Sequence, residues 1–157
     1  MRVGRDALAE GECVMPGIVV GYDGSENAEY ALRWAVRRAV AESVPLTVLT
    51  VNEVAMNPYT GLPSVVAEDA VMLGKARQAA EDVVAKVSGE LGEPPAVGVS
   101  AVSGLAGEEL IVASRDADML VIGSRGQREF PALRVSEIAT KVAHYSSCPV
   151  VIVPPAR

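Results

Sequence analysis

Five short apolar runs punctuate the chain: GIVVGY (17–22), LTVLTV (46–51), AVGVSAV (96–102), DMLVIG (118–123) and CPVVIV (148–153). Most are apolar at successive positions rather than at alternate ones. Strands of that kind are covered on both faces, as in a parallel sheet. The segments between them follow a different period. From Ser25 to Ser43, Ala28, Ala31, Leu32, Ala35, Val36, Ala39 and Val40 recur at spacings of three and four, and Arg33, Arg37 and Arg38 fall largely on another face. Ser25 is placed to cap this helix, Glu26 and Glu29 suit its first turn, and Pro45 closes it. A second helix is expected over about 67–91, stopped by Gly92, Pro94 and Pro95. A short third helix runs from Ala106 to about Arg115, and a fourth from Ser136 to about Ser146.

The order is βαβαβαβαβ. Strands alternating with helices imply right-handed crossovers and an α/β, doubly wound, five-stranded parallel sheet with helices on both faces. The expected strand order is 3-2-1-4-5. Ligands in such sheets bind at the carboxyl ends of the strands where the order reverses. Two loops meet there, Gly21–Ser25 and Gly123–Val135. Residues 52–66, with Pro58, Gly61 and Pro63, read as a long loop over the same sheet edge, either a lid or an inert connection. Residues 1–15 show no clear period and are expected to be a disordered extension, leaving a folded domain over 16–154.

Composition narrows the function classes. With 157 residues, half of them hydrophobic and 22% charged, the chain can bury one sizeable core. A net charge of −6 argues against nonspecific contact with nucleic acid or anionic membrane. No apolar run is long enough to span a bilayer, and the first residues lack the continuous apolar stretch of a secretory signal. Cys13 and Cys148 read as unpaired thiols in a reducing cytoplasm. With no CxxC and only His144, no metal cluster can be assembled from soft ligands.

The glycine loop carries the chemistry. GxxxxGK[ST] and GxGxxG are both absent. Gly123-Ser-Arg-Gly126 is a GxxG, similar to RNA-binding KH loops, but those join two helices, whereas a strand precedes these glycines. Arg125, Arg128 and Arg134 make the stretch locally basic against Glu129 and Glu137. They are able to meet phosphate or to pair with those glutamates. Ser124 has no neighbouring base, and His144 is explained by a favourable place near a helix C-terminus. Asp23, before Gly-Ser at a strand-to-helix turn, suits either a bond to its own backbone or a ligand.

GYDGSENAEYAL after the first strand, IGSRG after the fourth and the closing VAHYSSCPVVIVP together resemble the universal stress protein family, over about residues 16–154. The resemblance implies the fold of the adenine-nucleotide hydrolase-like proteins, the same five-stranded sheet. It also implies a stress-response role through interaction or nucleotide sensing rather than turnover. Nucleotide-binding members carry G-x2-G-x9-G-[ST], whose amides cradle phosphate and ribose. Matched here, the first two glycines are Gly123 and Gly126. The third falls at Ser136 and the hydroxyl residue at Glu137, and both depart from the pattern. Asp23, with Gly21 and Tyr22 beside it, matches the residues that meet the nucleoside, and Val51 matches a backbone contact to the adenine edge.

The candidate site is therefore Gly21, Tyr22, Asp23, Val51, Gly123, Gly126 and Ser136. ATP or AMP is the candidate ligand, with Mg accompanying ATP, although no residue demands a cofactor. Ser136 lacks the conformational freedom of glycine. A Glu137 carboxylate at the place of a phosphate would repel it by ~1–4 kcal/mol at about 4 Å, depending on the effective dielectric. Ser136 and Glu137 also explain themselves as a helix cap and a favourable first-turn charge. These departures point to a module with degenerate or weakened nucleotide binding that acts through an unidentified protein partner. The alternative is a functional ATP- or AMP-binding sensor; a weak hydrolase has the least support. The edge strand Cys148–Val153, apolar and uncharged, is expected to pair with its copy in a homodimer. Lysine at Val151 or Val153 should then give a monomer.

Overall fold

A computed structural model describes residues 17–54, 57–62, 69–126 and 135–156. The expected disordered extension over 1–15, with Cys13, lies outside the described residues, as do Arg128, Glu129 and Arg134.

The elements are β1 (Ile18–Gly21), α1 (Glu26–Glu42), β2 (Leu46–Glu53), α2 (Asp69–Leu91), β3 (Val97–Gly104), α3 (Ala106–Ser114), β4 (Met119–Gly123), α4 (Glu137–Tyr145) and β5 (Val150–Val153). All strand pairs are parallel, and the order is β3-β2-β1-β4-β5. This is the doubly wound sheet that the apolar runs predict.

The alternation of strand side chains splits the core into two layers. Ile18 and Val20 of β1, with Leu46 and Val48 of β2, pack with Leu32, Val36 and Val87 against α1 and α2. Val19 and Leu49 point the other way, towards Leu110 of α3 and Val142 of α4. β1 is buried on both faces, which explains why its run is apolar throughout. An ionic cluster ties α1 to α2 at the surface. Glu29 accepts from Arg33 and from Lys86, each at 3.1 Å, and Arg33 also bonds Glu90. The Lys86 ammonium, and then Arg33, hold the Glu29 carboxyl below its ordinary range.

Three boundaries differ from the sequence reading. β2 and β3 run on together to Glu53 and Gly104, two residues past the expected ends, because their ladder stays in register to that point. The loop after β2 is correspondingly displaced by two residues, since α2 begins at Asp69; it carries a turn at 58–60, and residues 55–56 and 63–68 lie outside the described part. The edge strand is only Val150–Val153: Cys148 and Pro149 precede it, and Cys148 is a half-buried thiol at its approach. No described helix is long and apolar enough to cross a membrane.

Candidate functional site

β1 and β4 lie side by side, but the chain leaves them towards opposite faces of the sheet. α1 packs with the layer over β2, while α3 and α4 cover the other face. A crevice opens where these connections diverge, above the carboxyl ends of β1 and β4.

The first loop is built by its own side chains. Gly21 ends β1; a Cβ there would stand 3.0 Å from Leu110 Cδ2 and 3.3 Å from Ile122 Cγ2, so glycine leaves room for the crevice floor. The Tyr22 N–H donates to the Leu49 carbonyl at 2.9 Å. Burial, then the nearby Glu29 and Asp23, push the Tyr22 phenol up from its ordinary pKa. It therefore stays protonated at neutral pH. Asp23 Oδ1 accepts the Ser25 N–H at 2.9 Å, Gly24 takes φ +84°, and Ser25 Oγ caps α1 by accepting from the Ala28 N–H at 3.1 Å. The turn role of Asp23 is thus realised.

The second loop closes on itself. The Ser124 carbonyl accepts the Ser136 N–H at 2.7 Å, joining the two ends of the excursion between them. Ser136 has φ −70° and ψ 163°, and its hydroxyl accepts the Ala139 N–H at 3.0 Å. Ser136 is therefore an N-cap in extended conformation. The motif's third glycine position makes no use of a left-handed backbone here, so the substitution carries no strain at this residue. Ser136→Ala is expected to lower stability by ~0.5–2 kcal/mol and Ser136→Gly by only a few tenths. Thermal unfolding of the two variants measures the cap; an Ala variant as stable as the parent would contradict it.

Glu137 corrects the sequence reading. It is the first residue of α4 and is exposed, and it stands outside the cavity wall, whereas Ser136, Ile138 and Ala139 line it. Side chains on a helix point towards successive sides, so the residue after the cap turns away while the next two face inward. Repulsion between Glu137 and a bound phosphate consequently loses the short range that the motif count suggested.

All seven predicted site residues, Gly21, Tyr22, Asp23, Val51, Gly123, Gly126 and Ser136, line one cavity of about 570 Å³. That size suits a small organic ligand. Leu49, Val51, Leu110, Ile122 and Ile138 supply apolar wall, and Asp23, Glu53, Lys75 and Arg125 supply charge of both signs. The sequence reading missed the wall from α2, where Met72, Lys75, Ala76 and Ala79 recur at helical spacing on one face. It also missed Asn27, which lies under the glycine loop. Its signal was an amide in the buried stripe that continues through Ala31 and Ala35.

Ser124 offers no nucleophile, since its hydroxyl donates to Asn27 Oδ1 at 3.3 Å in a buried setting. Among the described residues no group of three or more His, Cys, Asp or Glu is placed to hold a metal ion.

A doubly wound parallel sheet with a mixed apolar and polar cavity at its switch point defines an open-sheet α/β protein with a ligand-sized crevice. The universal stress protein family model matches residues 16–154, and the chain belongs to that family. It is 31% identical over 139 residues to a universal stress protein of Mycolicibacterium smegmatis, covering 87% of this chain and 47% of the relative. It is 33% identical over 147 residues to universal stress protein Rv2028c of Mycobacterium tuberculosis, covering 90% and 49%. The chain thus spans about half the length of the curated relatives it matches. Among solved structures, it superposes on the universal stress protein UspA from Lactobacillus plantarum with a TM-score of 0.71 at 20% identity, covering 89% of this chain and 98% of that one. A universal stress protein solved in complex with cAMP gives a TM-score of 0.58 at 22% identity, covering 91% and 99%. The universal stress protein from Archaeoglobus fulgidus in complex with dAMP gives 0.57 at 22%, covering 88% and 97%.

Proposed function

We propose that this chain is a dimeric cytoplasmic stress-response module that acts by interaction rather than turnover. Its cavity takes an adenine nucleotide chiefly through the nucleoside, with a weakened hold on the phosphate chain. The observation that carries this reading is the Ser136 N–H. At the motif position where family members offer an amide to phosphate, it donates to the Ser124 carbonyl at 2.7 Å instead. The nucleoside side keeps its full set of matching residues, and the complexes of structural neighbours with cAMP and dAMP favour an adenine monophosphate.

Calorimetric titration with adenosine, AMP and ATP tests the reading. AMP is expected to bind at micromolar concentration, with ATP no more than about threefold tighter. Because every tenfold in affinity is ~1.4 kcal/mol, each productive phosphate contact would register clearly. ATP binding more than tenfold tighter than AMP would mean a working triphosphate loop. An absence of heat at millimolar nucleotide would leave a pure interaction module.

Two observations favour β5 as the dimer edge. The sheet has two edges, β3 and β5. Bonds from Leu46 to Ala96 and from Val54 to Gly104 show that even-numbered carbonyls of β3 face β2, so that of Val99 faces outward. Arg77 Nη1 occupies it at 2.8 Å, which blunts that edge. On β5, Pro149 and Val153 direct their carbonyls to β4, leaving the peptide groups of Val150 and Ile152 facing outward.

The lysine substitutions suggested by the sequence prove unsuitable for testing this edge. Val151 and Val153 pack against the core beneath α1, so lysine there disturbs the fold rather than the edge.

A further inference from the structure

Three polar side chains are buried together beneath the glycine loop. Asn27 is 8% exposed, Ser124 3% and Ser136 4%. Asn27 lies in the first turn of α1, yet its amide is spent entirely on other elements. Oδ1 accepts the Arg125 N–H at 2.8 Å and the Ser124 hydroxyl at 3.3 Å, and Nδ2 donates to the Val153 carbonyl at 3.0 Å. That carbonyl also accepts the Ser124 N–H at 2.9 Å. One side chain therefore ties α1, the residues just after β4, and the end of β5.

Only an amide serves all three bonds. A leucine of similar size would leave a buried backbone N–H and a hydroxyl without this acceptor, which is costly. An aspartate would keep the acceptor but set a second oxygen against the Val153 carbonyl. The same packing accounts for Gly123. A Cβ there would lie 3.0 Å from Asn27 Cγ, 3.1 Å from Oδ1 and 3.2 Å from the Asn27 carbonyl oxygen. The first motif glycine admits Asn27, whatever it does for a ligand.

We propose that Asn27 is the positioning residue of the glycine loop, directing the Arg125 peptide inward and so setting the shape of the cavity between Gly123 and Ser136. It touches no ligand itself, being absent from the cavity wall. Its effect on nucleotide rests on the function proposed above; its hold on the loop does not. A buried, fully satisfied network of this kind favours one loop conformation over its alternatives.

The test compares wild-type protein with Asn27→Leu, Asn27→Asp and Gly123→Ala. Amide hydrogen exchange at Arg125 is followed without ligand, and AMP affinity by calorimetry. Loss of the acceptor should speed Arg125 exchange about 10-fold or more in the Leu variant, while Asp, which retains it, stays within about threefold of wild type. AMP should bind about 10-fold more weakly to the Leu variant. Gly123→Ala, which pushes Asn27 aside without altering it, should reproduce both changes and keeps the question answerable if Asn27→Leu fails to fold. Unchanged Arg125 exchange in the Leu and Gly123→Ala variants would overturn the proposal. So would released exchange with unchanged AMP affinity. If wild-type protein takes up no nucleotide, the nucleotide-binding part of the proposed function fails, while Arg125 exchange still decides whether Asn27 holds the loop.

Discussion

Asp23→Ala is expected to weaken AMP binding by about 10- to 150-fold, the equivalent of one lost charged hydrogen bond of ~1.5–3 kcal/mol. The residue sits in the cavity wall and closes its own turn through Ser25. An alanine change therefore confounds two roles. Asp23→Asn separates them, because its side-chain oxygen still accepts the Ser25 N–H while the negative charge is gone. If the carboxylate meets the ligand, Asn should bind about tenfold more weakly than wild type with unaltered thermal stability. If Asp23 serves the turn alone, Asn should bind like wild type and only Ala should fall. Titration calorimetry with melting curves on the same samples distinguishes the two. Wild-type affinity in both variants would remove Asp23 from the site altogether.

Ile152→Pro should convert the proposed dimer to a monomer. The N–H of Ile152 faces away from β4, so proline there leaves the β4–β5 ladder intact, as edge positions allow. It removes a donor from each copy of a two-fold pairing and places ring atoms in the path of the facing strand. Losing two hydrogen bonds at ~0.5–1.5 kcal/mol each, together with that obstruction, raises the dissociation constant by about 100-fold or more. Ile152→Thr is the control: it trims the side chain that packs on the α3–α4 layer and keeps the N–H. Analytical ultracentrifugation across a concentration series should find the Thr variant dimeric and the Pro variant monomeric. A Pro variant that remains dimeric, with normal circular dichroism, would place the interface elsewhere.

The amino-acid sequence by itself determined the sheet. Runs such as Ile18–Val20 and Leu120–Ile122, apolar at every position, demand cover on both faces. Intervening helices with one apolar stripe provide it, and only a narrow set of right-handed connections joins them. The same reasoning placed Gly21–Ser25 and Gly123–Val135 at one crevice, and helix-end chemistry marked Ser25 and Ser136 as candidate caps.

Tertiary structure decided what the motif count left open. Position after Gly126 suggested that Glu137 shares the phosphate's place, but the turn of α4 sends it outside the cavity wall. Ser136 matched a glycine in spacing, yet its N–H is taken by Ser124, a residue close in space only once the excursion closes. Asn27 was unremarkable in a helix of alanines until Val153, 126 positions away, came within 3.0 Å of its amide. Periodicity reports which face of an element is buried; hydrogen bonds between distant elements depend on the angle and depth at which those faces meet, and no local pattern encodes these.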